Sequence, residues 1–145
     1  MEWYSQALIK HGDAVLGKAQ EVFAGTGVIL AAKVAGIHWQ TDTKSHGPEL
    51  TAGYYTTAKR DGYGPIAQMF AKRGAMFDFT CLEMRDEELP TWAKSLPSQL
   101  VAHTKKTAIK HGCMYAGENA LPRFDRRGFE QMQDQVQVPY LNPKP

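Results

Sequence analysis

The sequence has no apolar run approaching the ~18 residues a membrane-spanning helix needs. Its first residues, Met1-Glu2-Trp3-Tyr4-Ser5, lack the basic stretch and apolar core of a secretory signal. Cysteine is scarce. Cys81 and Cys113 stand alone in apolar stretches, and without secretory context they read as a reduced core pair rather than a disulfide. The five histidines, His11, His38, His46, His103 and His111, show no metal-binding spacing, so no metal is expected. No phosphate-binding loop, dinucleotide-binding glycine pattern or G-x-S-x-G elbow occurs, which removes the common nucleotide and serine-hydrolase classes. Charge of one sign is also missing. The 17 basic and 15 acidic residues leave +2, no electrostatic basis for nucleic acid or an anionic membrane surface.

What is present is an ordinary globular composition, 43% hydrophobic and 22% charged, in 145 residues. Residues 2–24 read as a helix whose apolar stripe is Tyr4, Leu8, His11, Val15, Ala19 and Val22. Gly25-Thr26-Gly27 stops it. The stretch Val28 to Trp39 begins with five consecutive apolar residues and reads as a strand buried on both faces. Residues 40–64 are a long polar loop with a short helical piece around Glu49–Tyr55. Pro65 opens a helix with an Ile66, Met69, Phe70 face. A strand over Ala75–Leu82, a helix from Ser98 to about Lys110, a strand over Gly112–Glu118 and a helix over Gly128–Gln137 complete the pattern. Strands separated by helices predict an α/β fold with a parallel sheet. A Pro-rich extended tail is expected over 139–145.

The unusual polar residues fall at the carboxyl ends of these strands, where α/β folds carry their sites. Glu118 reads either as a general base or as a loop-fixing carboxylate. Lys33 reads as a cation that neutralises Glu118 or binds substrate hydroxyls, or as half of an internal ion pair with no chemistry. His38 beside Trp39 suits sugar recognition, or is a satisfied core histidine. Thr80 offers a hydroxyl to the cleft, or is an ordinary strand residue.

Six blocks together resemble the β-amylases, the inverting α-1,4-glucan maltohydrolases. They are Glu2-Trp3-Tyr4-Ser5 with His11-Gly12-Asp13, Ala32 to Trp39, Glu49 to Tyr55, Arg60-Asp61-Gly62-Tyr63, Phe79 to Asp86, and Ala116 to Asp125. The resemblance implies a partial (β/α)8 barrel over residues 1–138, with three parallel strands equivalent to the family's fifth to seventh. It implies α-1,4-glucan (starch, maltooligosaccharides) as substrate, β-maltose as product and no cofactor. Glu118 falls on the family's general base. Lys33, His38, Thr80, Asn119 and Ala120 fall on glucan-binding positions. Cytoplasm or plastid is the implied compartment.

Two departures stand out. Gln40 follows Trp39 where plant members generally have a second tryptophan, and Asp78 stands where they usually carry asparagine, a second carboxylate that would act on Glu118 if close. The family's general acid ends strand four, expected before Met1, and its strand-eight arginine is expected beyond Pro145. Glu83 is no substitute for that acid. These residues alone are therefore expected to be inactive, and the alternative reading is a non-catalytic glucan-binding or regulatory fragment.

Overall fold

The computed structural model describes residues 1–41, 43 and 47–137; the expected tail over 139–145 lies outside them. In chain order the elements are α1 (Glu2–Val22), β1 (Ala31–Val34), α2 (Gly47–Ala52), α3 (Gly64–Lys72), β2 (Met76–Phe79), α4 (Pro97–Lys110), β3 (Tyr115–Gly117) and α5 (Arg126–Gln137). Two 3-10 turns, Asp86–Glu88 and Thr91–Ala93, lie between β2 and α4.

The strands form one parallel sheet in the order β1-β2-β3. Lys33 pairs in register with Asp78, and Asp78 with Ala116. Side chains alternate across a strand, so the register sorts them into two faces. Ala32, Val34, Phe77, Phe79 and Tyr115 share one face, and Val34, Phe77, Phe79 and Tyr115 are buried there with Leu16, Tyr63, Ala67, Phe70 and Val101 of the helical side. Lys33, Asp78 and Ala116 share the other face, where the Lys33 side chain is exposed.

Phe77 and Phe79 are fully buried and anchor the packed face. Each contributes about 1.5–3 kcal/mol by burial. Phe77 meets Phe70 edge-on at 5.4 Å between ring centres, and Phe79 meets Tyr63 at 5.9 Å. Such edge-to-face pairs follow from the negative ring face attracting the positive ring edge. Pro65 sits in the first turn of α3, where its missing N–H leaves no bond unmade.

Two expectations from the sequence are corrected. In α1 the buried residues are Ser5 and Leu16, with Ile9 against the core, whereas Leu8, Val15 and Val22 are exposed. The packed stripe is rotated because glycines and a charge decide it. Gly12 lies against Met69, Gly17 lies against Arg73, and Asp13 takes a bidentate pair from Arg73 at 2.6 and 2.8 Å. Leu8, His11, Val15 and Ala19 of the predicted stripe instead line an apolar groove of about 590 Å³ between α1 and β1. The second correction concerns the first strand. Only Ala31–Val34 is strand; Val28 and Ile29 are exposed and Val34 alone of β1 is buried. The face of β1 that carries Lys33 is exposed, and only Val34 on the other face reaches the core.

The loop into α3 is fixed by two carboxylates, Glu49 buried and Asp61 partly buried. Glu49 accepts the Thr56 amide at 2.7 Å. Asp61 accepts the amides of Tyr63 and Gly64, with His103 at 3.1 Å and Thr107 at 3.2 Å from α4. Burial pushes the Asp61 carboxyl up, but His103 and these hydrogen bonds outweigh it and hold it below the usual range. Gly62 passes against the carbonyls of Tyr54 and Tyr55, leaving no space for a Cβ.

Candidate active site at the carboxyl ends of the strands

The open face of the sheet carries a charged row. Lys33 projects from β1, Asp78 from β2, and Glu118 immediately follows β3. Glu118 is two residues beyond Ala116, so alternation keeps it on the face of Asp78 and Lys33. The Lys33 ammonium forms an ion pair with Glu118 Oε1. Neighbouring strands lie ~4.8 Å apart, so this pair spans roughly 10 Å across β2. Glu118 raises the Lys33 ammonium above the usual lysine range, chiefly by hydrogen bonding, with Asp78 adding a small attraction.

Asp78 is pushed above the usual carboxylate range, first by desolvation and then by the Glu118 charge, against the opposing pull of Lys33. The second carboxylate expected near Glu118 is therefore present on the same face, and the Glu118 charge adds to the desolvation that raises it.

Thr80 directly follows β2, and His38 lies four residues beyond β1. His38 is buried, and its Nδ1 lies 2.7 Å from Ser95 Oγ. Its carbonyl accepts the Leu96 amide at 2.9 Å and the Thr41 hydroxyl at 2.6 Å. Trp39 meets the His38 ring edge-on at 5.1 Å and is partly exposed. Desolvation lowers the His38 ring below its usual range, with Glu83 opposing, so neutral imidazole is favoured. Thr80 is buried one residue past β2.

The next residue, Cys81, has φ 67°, an uncommon conformation for a non-glycine residue and one that concentrates at functional sites. Its thiol is pushed up to about 12 by burial, so it is not a nucleophile at neutral pH. Cys81 and Cys113 are both free and buried.

The loop after β3 is held from β2's side. Glu118 N–H donates to Phe79 O at 2.8 Å, extending the ladder one residue beyond the strand. Glu83 is fully buried, and its two oxygens accept the Ala120 amide at 3.0 Å and the Leu121 amide at 2.9 Å. Arg123 closes the loop onto Glu88 at 2.6 Å and Asp125 at 2.8 Å, and its Nη1 lies 3.4 Å from Glu83 O. Asn119 and Ala120 are thereby exposed beside Glu118. Gly117 is required just before it, since a Cβ there would run into Leu82.

The structure thus brings Lys33, Glu118, Asn119 and Ala120 to one open surface, with Thr80 buried just past β2 and His38 buried in the loop after β1. Sequence reasoning missed Glu83 as the loop clamp and Ser95 as the histidine's partner. A lone carboxylate in the apolar run Cys81 to Met84 was the available signal for the first. Nothing local marks the second, whose partner lies 57 residues away. Among the described residues no group of three or more histidine, cysteine or acidic side chains is arranged to hold a metal, and no helix is long and apolar enough to cross a membrane.

Comparison with known proteins decides the family. The glycosyl hydrolase family 14 model matches residues 1–138. The chain belongs to this family. It is 52% identical over 133 residues to beta-amylase 1, chloroplastic, of Oryza sativa subsp. japonica, covering 91% of this chain and 25% of the relative. It is 46% identical over 145 residues to beta-amylase of Glycine max, covering all of this chain and 28% of that one. The chain therefore spans about a quarter of the length of the curated relatives it matches. The solved catalytic domain of beta-amylase from Paenibacillus polymyxa superposes with a TM-score of 0.80 at 34% identity, over 92% of this chain and 31% of that one. The three parallel strands and their helices are thus part of a family 14 (β/α)8 barrel.

Proposed function

We propose that these residues form the general-base half of a β-amylase-type cleft, acting on α-1,4-glucan from non-reducing ends to release β-maltose with inversion. The observation that carries the reading is Glu118, paired with Lys33 on the open face at the carboxyl end of the sheet, in a chain of family 14. An inverting glycosidase needs a base on a water and an acid on the leaving oxygen from the opposite side of the sugar, with the two carboxyls ~6.5–9.5 Å apart. In this reading Glu118 takes the proton of the attacking water. Lys33 keeps a cation beside it and binds sugar hydroxyls. Thr80, Asn119 and Ala120 orient the glucose units, His38 supports an outer one, and Trp39 supplies an apolar face. No cofactor takes part. The strands correspond to the fifth to seventh of the barrel, and plastid, named for the rice relative, is the favoured compartment.

The 145 residues alone lack the acid. Glu83 is fully enclosed with both oxygens on backbone amides, so it cannot meet a glycosidic oxygen. Asp78 shares the face of Glu118 and cannot reach the opposite side of a sugar that Glu118 serves. Starch incubated with this chain is expected to yield no maltose above buffer, while titration with maltotetraose shows binding that Glu118→Gln and Lys33→Met weaken. Maltose release by the unaltered chain would refute the missing acid. Absence of binding would remove the cleft.

A further inference from the structure

We propose that Trp92 is a glucan-binding residue: beside Trp39 it offers a second aromatic face on which an outer stretch of the α-1,4-glucan chain lies. This rests on reading the Glu118 surface as a glucan cleft.

The geometry carries this. Trp39 lies in the loop after β1, and Trp92 lies in the 3-10 turn Thr91–Ala93 after β2. Both segments leave the carboxyl end of the parallel sheet, the end that holds Glu118. They are laced together. The Gln40 side-chain amide donates to Trp92 O at 3.1 Å. The Gln40 backbone N–H donates to Ala93 O at 2.7 Å, and the Thr41 N–H to Lys94 O at 3.2 Å. The Leu96 N–H donates to His38 O at 2.9 Å, and His38 Nδ1 meets Ser95 Oγ at 2.7 Å.

Both segments turn through left-handed backbone, Gln40 at φ 56° and Lys94 at φ 44°. Among the described residues only Cys81 is a third non-glycine residue with positive φ. Such conformations cost free energy and concentrate where a side chain must be presented to a ligand. What the junction buries is His38, Ala93 and Ser95. What it leaves out is the two large rings, Trp39 41% and Trp92 76% exposed. A ring kept for packing would be the buried member of its turn. Here the small residues are buried and the indole faces water.

An indole suits this ligand. The C–H face of a glucose ring is apolar and slightly positive, and it meets the negative face of an aromatic ring. Lys94, exposed two residues on, adds a donor for sugar hydroxyls. The junction is continuous with the Glu118 loop through Glu83, which holds the Ala120 and Leu121 amides and whose charge acts on the His38 ring.

The test is titration of the nitrogen-15-labelled chain with maltoheptaose, read from the indole N–H signals of its three tryptophans. Each signal is assigned by its loss in the matching Trp→Phe variant. The Trp39 and Trp92 signals are expected to move with one shared midpoint, while that of Trp3, exposed on α1, stays in place. Trp92→Ala should weaken maltoheptaose binding about tenfold, and Trp92→Phe, which keeps an aromatic face, far less. Amide spectra confirm the fold of each variant. A Trp92 signal that stays still, or Trp92→Ala binding as the unaltered chain does, overturns the proposal and leaves the cleft standing where Glu118→Gln still weakens binding. A Trp3 signal that moves as far as that of Trp92 overturns it too, by showing contact with any exposed indole. If no signal moves and no binding is measured, proposal and cleft fall together.

Discussion

Removing the Glu83 carboxylate is expected to loosen the loop that presents Asn119 and Ala120. The side chain is fully buried and accepts two amides, at 3.0 and 2.9 Å, from a segment 37 and 38 residues away. A hydrogen bond to a charged acceptor contributes about 1.5–3 kcal/mol, so two give about 3–6. Ala120 and Leu121 are exposed residues, so water re-solvates part of the freed backbone and lowers the cost. Glu83→Ala should therefore lose about 2–4 kcal/mol. Glu83→Gln keeps one acceptor but turns an amide donor toward the second N–H, and should lose about half as much. Urea unfolding followed by circular dichroism gives the difference directly. Hydrogen exchange at Ala120 and Leu121 should rise in Glu83→Ala beyond the rise at Phe77. A loss under about 1 kcal/mol, with exchange at these amides unchanged, would refute the clamp.

Gly62→Ala should cost about 3 kcal/mol or prevent folding, because the new Cβ would stand 2.6 Å from Tyr55 O, a backbone atom that cannot step aside; the unfolding midpoint measures it. His38 gives a pH dependence. Its folded ring titrates below the usual value, so the unfolded chain binds more protons once pH falls past ~6.5, and stability drops from there toward the folded value. Subtracting the pH profile of His38→Gln from that of the unaltered chain should leave this acid-side loss; a flat difference would contradict the burial argument.

The order of elements was legible because helix and strand periods differ and because Gly25 and Pro65 punctuate them. So was the clustering of Lys33, Thr80, Glu118 and Asn119 at strand ends, which needs only a parallel sheet. The buried side of α1 was not legible. Leu8 and Val15 are the more apolar residues, yet the helix turns Gly12 and Asp13 inward to fit Met69 and Arg73, and those partners are set by tertiary packing. The exposure of Val28 and Ile29 was hidden as well, since both are apolar yet lie ahead of β1 rather than in it. The 3-10 turns at Asp86–Glu88 and Thr91–Ala93 are too short to leave a period. Neutralisation of Glu118 by Lys33 was among the readings for Lys33, and the registers of β1 on β2 and of β2 on β3 show why the two residues share a face.

The central claim is that Glu118 is a base without its acid. It is tested most directly with α-maltosyl fluoride. Fluoride leaves without being protonated, so water attacks C1, the C1–F bond breaks, Glu118 takes the water proton, and no acid is called upon. The 145-residue chain should release fluoride and β-maltose from this compound while leaving starch uncut, and Glu118→Gln should slow the release about 10²–10⁴-fold. Fluoride release that Glu118→Gln leaves unchanged, or no release above buffer from a folded chain, would contradict the account.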